Sequence, residues 1–200
     1  MTIIHPLTLV SNLVSNLLDN AIKYSKENLE IKEILLHQAG LVSFIPFYKE
    51  TLDASGAPLP AYYASKQSDS FSIPVASNMF MRTDWRDTIY KRILQSPLGK
   101  ANRYVYSDND FIFLGKIVEA ISGMPLNESV KKTFYQPMGL TTAGFKPLER
   151  FPAKRIAPTE DEKFFRMQLL RGYVHDPGAA MFGGVAGHAV QLAPGDRKSV

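Results

Sequence analysis

Tyr106-Ser107-Asp108-Asn109-Asp110-Phe111-Ile112-Phe113-Leu114-Gly115 opens a helical run that closes at Ile121-Ser122-Gly123. Ser107 is placed to cap the helix N-terminus, and Asp110, three residues on, completes an S-x-x-D capping pattern. Leu114, Ile117, Val118 and Ile121 recur at helical spacing and define the apolar face. Gly123 fits the left-handed residue that ends many helices. A tyrosine just before such a start is held rigidly, near the positive end of the helix dipole, which favours an anion. That position suits a phenol that must pass a proton.

Outward from this segment the chain reads as a folded domain or part of one. It has 200 residues and 45% apolar content, enough for a core. Cysteine is absent, which excludes disulfides and Cys-based zinc sites. The net charge of +4 is scattered, with no basic block interleaved with aromatics, so no nucleic-acid partner is expected. No apolar stretch reaches the roughly 20 residues of a membrane span. The start, MTIIHPLTLV, lacks a charged region and a small-residue cleavage site, so no signal peptide is expected.

Periodicity and breakers give the element order. An amphipathic helix is expected over 8–24, with Val10, Leu13, Val14, Leu17, Leu18, Ala21 and Ile22 on its apolar face. A short helix follows at 30–38 and stops at Gly40. Residues 41–82, broken by Pro46, Gly56, Pro58, Pro60 and Pro74, read as mostly loop. Helices are expected at 84–95 and 126–135, a strand at 143–146, and a helix at 160–169 opened by a Thr159/Glu162 capping box.

Four motifs occur in one order. LLHQAGL at 35–41 resembles the LLTHTSGL segment of the penicillin-recognising serine hydrolases: class C β-lactamases, low-molecular-weight penicillin-binding proteins and related esterases. Tyr106-Ser107-Asp108 with Leu114-Gly115 resembles their YSN…LG motif, and FYQPMGL at 134–140 their IFEPLGM. Val174-His175-Asp176 with GGVAGHA at 183–189 resembles a glycine-rich segment of β-lactamase-like hydrolases, some fused to a family-three glycoside hydrolase. The resemblance covers about 26–189. It implies an α+β, helix-dominated, partial β-lactamase/transpeptidase-like fold, mostly the helical lobe with the central sheet largely missing. Residues 1–25 then form an N-terminal helix of foreign appearance and 190–200 a divergent tail.

The resemblance also implies chemistry. A serine forms an acyl-enzyme on a β-lactam, a D-Ala peptide or an ester, while Lys and Tyr share the proton work. Carried onto this sequence, Tyr106 is the proton-transferring residue, Asp108 takes the place of the commoner Asn, and Ser107 and His188 are substrate-side candidates. An Asn amide can donate to a substrate carbonyl, whereas an ionised Asp cannot. No cofactor and no metal are implied. The partner is a small-molecule or peptidoglycan-derived substrate, and the family's location is periplasmic or exported.

Other parts of the pattern are missing. The family's S-x-x-K nucleophile belongs upstream of His37, where nothing fits. The single S-x-x-K is Ser129-Val130-Lys131-Lys132, on what the family has as a surface helix. The K-T-G or H-x-G strand is expected beyond residue 190. An inactive hydrolase fragment is therefore the first expectation, and a non-enzymatic fragment or chimeric reading frame the second. A third comes from NLLDNAIKYS at 16–25, which resembles the N-box of sensor histidine kinases, with Asn20 toward Mg²⁺ and Lys23 toward ATP. No glycine-rich phosphate cradle follows it, so the Asn12, Asn16 and Asn20 stripe reads as a solvated face. His37 is expected to fix a loop through hydrogen bonds, and His175-Asp176 to form a structural turn.

Overall fold

A computed structural model describes residues 30–100 and 102–189. The helix expected at 8–24, the N-box and the tail 190–200 lie outside the described residues. The helices are α1 (Ile31–Leu35), α2 (Trp85–Gln95), α3 (Asp108–Ser122), α4 (Leu126–Val130) and α5 (Pro177–Ala180). The strands are β1 (Tyr63–Ala64), β2 (Ile73–Ala76), β3 (Met79–Met81), β4 (Pro158–Asp161) and β5 (Leu169–Arg171). Among the described residues helix outweighs strand, and sheet is confined to a three-stranded and a two-stranded piece. This matches the expected helix-dominated α+β class. The residues fall into two compact units, 30–45 with 91–129 and 46–90 with 130–189.

The first unit is organised by α3. Ser107 is extended at φ −145° and its side chain accepts from the Asp110 amide, while Gly123 takes φ 65° at the other end. Both boundaries fall where the sequence placed them. The buried face does not: Asn109, Asp110, Ile112, Phe113 and Gly115 are the buried residues, whereas Val118 is 37% exposed. The correction has a physical cause. Asn109 and Asp110 are buried because their side chains bond the 37–42 segment, so the first two turns, not the apolar stripe, are covered. Helix α1 is shorter than expected and ends at Leu35, with His37 at φ 55° turning the chain. Ile34, Ala39, Leu41 and Ile93 fill the core of this unit.

In the second unit the sheet order is β1-β3-β2, all antiparallel. These short strands lie within 41–82, most of which is irregular, as expected. Asn78, left-handed at φ 51°, turns β2 into β3, and a register shift between Pro74 and Ala76 accommodates the proline. A 3₁₀ turn over Phe47–Thr51 precedes the sheet. The strand expected at 143–146 is absent because Gly144 (φ 141°) and Lys146 (φ 47°) leave the extended region. The helix expected at 160–169 is instead a turn between β4 and β5. The second half of the 126–135 helix, Lys131–Tyr135, is a π-helical turn.

What replaces that helix at 160–169 is a buried ion pair. Glu162 and Arg166 have fully buried side chains, joined Nε to Oε2 at 2.6 Å. Glu162 Oε1 also accepts the amides of Phe164, Phe165 and Arg166. The guanidinium donates to the carbonyls of Val174 and His175, and at longer range to that of Val75. Every strong polar group in the turn is thus paired, as burial requires. The guanidinium lies over the Phe165 ring at 5.5 Å, and Phe165, Leu170, Ile156 and Met81 are all buried in this unit.

Candidate active site

Three consecutive residues, Tyr106, Ser107 and Asp108, lead into α3 from a segment laced to residues 37–43. Val105 N–H donates to the His37 carbonyl at 2.9 Å, and Asp108 N–H to that of Ser43 at 3.0 Å. The Ser107 hydroxyl and the Asn109 amide each donate to the Val42 carbonyl at 2.7 Å. Gly99 N–H donates to Gly40 O at 2.7 Å, and Gly40 must be glycine: at φ 77°, an added Cβ would lie 2.8 Å from the Gly99 carbonyl oxygen. The helix mouth is therefore fixed by backbone bonds on both sides.

Beneath it lies His37, 8% exposed. Its Nδ1 is 2.7 Å from Asp110 Oδ2 and accepts the Ser107 amide at 3.2 Å. The expected capping box is thus rearranged: the imidazole, not the Asp110 carboxylate, takes the Ser107 N–H. The Tyr106, Tyr104 and Phe111 rings surround the imidazole at 4.8, 5.8 and 5.1 Å. Tyr106 itself is 56% exposed. A phenol open to solvent, tilted at 48° against a buried imidazole and carried on a fixed backbone, can exchange a proton with a bound group without reorganising the site. Burial pushes the Asp110 carboxyl above the ordinary carboxylate range, against the opposing pull of the His37 hydrogen bond and charge.

The remaining candidates lie elsewhere. His188 belongs to the second unit, where Nε2 meets Asp176 Oδ1 at 3.0 Å with the ring side chain 4% exposed. Asp176 caps α5 through the Ala179 amide at 2.6 Å, so His175-Asp176 is the structural turn the sequence suggested, with His175 exposed. Burial would raise the Asp176 pKa, but the His188 and Ala179 hydrogen bonds and the neighbouring imidazoles together hold it below the usual range. Ser129 is buried on α4 and Lys132 is exposed. Sequence reasoning missed Asp110 as the partner of His37; a pair 73 residues apart leaves no local signal.

Ser107→Ala removes both a cap and a bond to the Val42 carbonyl. It is expected to cost about 1 kcal/mol locally, read as roughly five-fold faster hydrogen exchange at the Asp110 amide. Unchanged exchange would show that the cap does not restrain the helix mouth.

Among the described residues no helix is long and apolar enough to cross a membrane. The family model described as Beta-lactamase matches residues 7–189. A protein of Salmonella schwarzengrund that carries the name D-alanyl-D-alanine carboxypeptidase is 33% identical over 178 residues, covering 82% of this chain and 35% of its own length. The counterpart from Salmonella newport is 32% identical with the same coverage. The chain thus spans about a third of the length of the curated relatives it matches. A solved penicillin-binding protein homologue from Pyrococcus abyssi is 15% identical, with a TM-score of 0.47, over 92% of this chain and 40% of that one. The penicillin-binding protein of Bacillus halodurans is 18% identical, with a TM-score of 0.44, over 78% and 47%. Motif order and family match agree: the chain belongs to the β-lactamase family of serine hydrolases.

Proposed function

We propose that this chain carries the tyrosine-bearing lobe of an acyl-transferring serine hydrolase that acts on cell-wall D-alanyl peptides, with β-lactams and simple esters as chemical analogues, and that the 200-residue chain by itself does not turn over substrate. The observation that carries the reading is Tyr106: an exposed phenol at a rigid helix mouth, seated on a buried imidazole. In this reading Tyr106 moves the proton between nucleophile and leaving group, and the helix mouth favours its anionic form. Asp108 borders the substrate side; Ser107, expected there from the motif, is fully buried with its hydroxyl on the Val42 carbonyl and acts by holding the helix mouth, and His188 belongs to the glycine-rich segment. The names of the relatives favour D-alanyl-D-alanine peptides as substrate. An exported location goes with that substrate.

The inactivity follows from the nucleophile. Ser129 heads the single S-x-x-K and is buried on a short helix, where a substrate carbonyl cannot reach it. Without an attacking hydroxyl, positioning groups cannot form the acyl-enzyme. The purified chain is expected to leave a chromogenic β-lactam, a short-chain ester and a D-alanyl-D-alanine peptide at the buffer rate. Turnover that disappears on Ser129→Ala would overturn this and make Ser129 the nucleophile.

A further inference from the structure

A cleft of about 210 Å³ lies wholly within the second unit, and no residue proposed for the hydrolase chemistry lines it. Val75 of β2, Val174 and Ala180 of α5 give it an apolar lining. All three are buried, so this part of the lining is core. The Arg166 guanidinium donates to the Val174 carbonyl at 2.7 Å and to that of Val75 at 3.5 Å, which ties two of the lining segments to one buried group. Gly183 and Gly184 continue the lining at φ 68° and 76°, where a side chain would be strained. The cleft is therefore preformed, and its glycines keep it open.

Its charged groups are Lys146 and Glu149. Lys146 Nζ lies 3.4 Å from Glu149 Oε1, and the two side chains are partly open to solvent, 36% and 65% exposed. Lys146 takes φ 47°, uncommon for a residue with a side chain, and opens the 3₁₀ turn Pro147–Glu149. Leu148, within that turn, lies so close over Gly172 that any Cβ there would overlap it. Tyr173 also lines the cleft. Burial pushes its phenol up, which keeps it a neutral donor, and among the described residues nothing bonds its hydroxyl.

Size and charge together select a ligand. A cavity of about 150 Å³ in a protein core holds one benzene ring, so this cleft has room for about eight non-hydrogen atoms. An anion on Lys146 would come close to the Glu149 carboxylate, and a cation on Glu149 close to the Lys146 ammonium. A ligand with one charge meets one attraction and one repulsion. A ligand with both charges, one carbon apart, meets two attractions. Its uncharged part then falls to the apolar lining.

We propose that this cleft binds a small aliphatic α-amino acid as its zwitterion, with the ammonium on Glu149, the carboxylate on Lys146 and the side chain against Val75 and Val174. The site stands apart from the reading of Tyr106 as the reactive phenol and does not depend on it.

The test uses the 200-residue chain, with D- and L-valine as probes. Isobutylamine and isovalerate supply the same skeleton without the carboxylate or without the ammonium. In ¹H–¹⁵N spectra at least one valine enantiomer is expected to give saturable shifts concentrated at the amides of Val75, Val174, Gly183 and Gly184. Isobutylamine and isovalerate should each bind roughly ten-fold more weakly, since each gives up one hydrogen bond between charged groups. Lys146→Gln should bring valine down to about the affinity of isobutylamine without weakening isobutylamine itself. Glu149→Gln should bring it down to that of isovalerate without weakening isovalerate. Both side chains reach solvent, so the fold should survive either change, which Trp85 fluorescence checks. The absence of saturable shifts, or shifts spread over the whole chain, would overturn the proposal. So would a singly charged analogue that binds as tightly as valine, or a valine affinity that ignores both substitutions. None of these results bears on Tyr106, so the two readings fail separately.

Discussion

Arg166→Ala is expected to cost roughly 3–5 kcal/mol of stability, the usual result of removing one partner of a buried ion pair. Against the roughly 5–15 kcal/mol that holds a typical domain together, that is a loss the second unit barely survives. The reason lies in what stays behind. Glu162 keeps a fully buried charge, and the carbonyls of Val174 and His175 lose their donor. The guanidinium also lies over the Phe165 ring at 5.5 Å, so packing is lost with the charge. Arg166→Lys keeps the charge but not the planar fork, and should recover part of the loss. Replacing both partners together, Glu162→Gln with Arg166→Met, should cost less than the sum of the single changes, because no uncompensated charge remains. Trp85, the single tryptophan, is buried in the same unit against Tyr62 and reports its unfolding in denaturant.

The same pair sets an acid limit. Burial would raise the Glu162 carboxyl, but the Arg166 hydrogen bond, the Phe165 and Arg166 amides and the guanidinium charge together hold it below its ordinary value of 4.5. A carboxyl depressed in the folded state contributes stability that is complete above its unfolded pKa and is lost as pH falls through the folded one. The second unit should therefore weaken below about pH 4.5, and Glu162→Gln should flatten that dependence while lowering stability at neutral pH. A single mutant Arg166→Ala that unfolds at the wild-type denaturant midpoint would show that the pair only decorates the turn.

Thr159 and Glu162 have capping-box spacing, and Glu162 does collect backbone amides, but those of a turn, not a helix start. Local spacing says that an acidic side chain will gather N–H groups; it does not say that Arg166 will be pulled inside to meet it. The three-stranded sheet was hidden for a related reason. Its strands are two to four residues long and one contains Pro74, so no alternation has room to develop. Helix α3 was legible at both ends because the cap, the turn residue and the periodicity are all local. Its buried face was not, because Asn109 and Asp110 are covered through partners at Val42 and His37, far away in the chain. The motif order gave the family, yet the element that supports Tyr106, the His37–Asp110 pair, is a long-range contact between residues that look like a loop histidine and a helix cap.

Grafting an S-x-x-K helix in place of residues 1–25, and K-T-G- or H-x-G-bearing strands in place of 190–200, from a close relative is expected to produce a working hydrolase. The described helix mouth supports this, because its cap, its Gly123 stop and its bonds to residues 37–43 lie within the retained chain. In that chimera Tyr106→Phe is the decisive change. It removes one hydroxyl and leaves the ring, which still packs on His37. If the phenol passes the proton, kcat should fall by roughly 10²–10⁴, which corresponds to about 3–5 kcal/mol of transition-state stabilisation. The loss should appear in kcat and kcat/KM alike with KM nearly constant, because the hydroxyl acts on the moving proton and not on substrate binding. A ground-state binding role would instead raise KM. Stability should be unchanged, since the side chain is more than half exposed. A chimera whose hydrolysis rate is the same before and after Tyr106→Phe would remove Tyr106 from the chemistry while leaving the family and the fold in place.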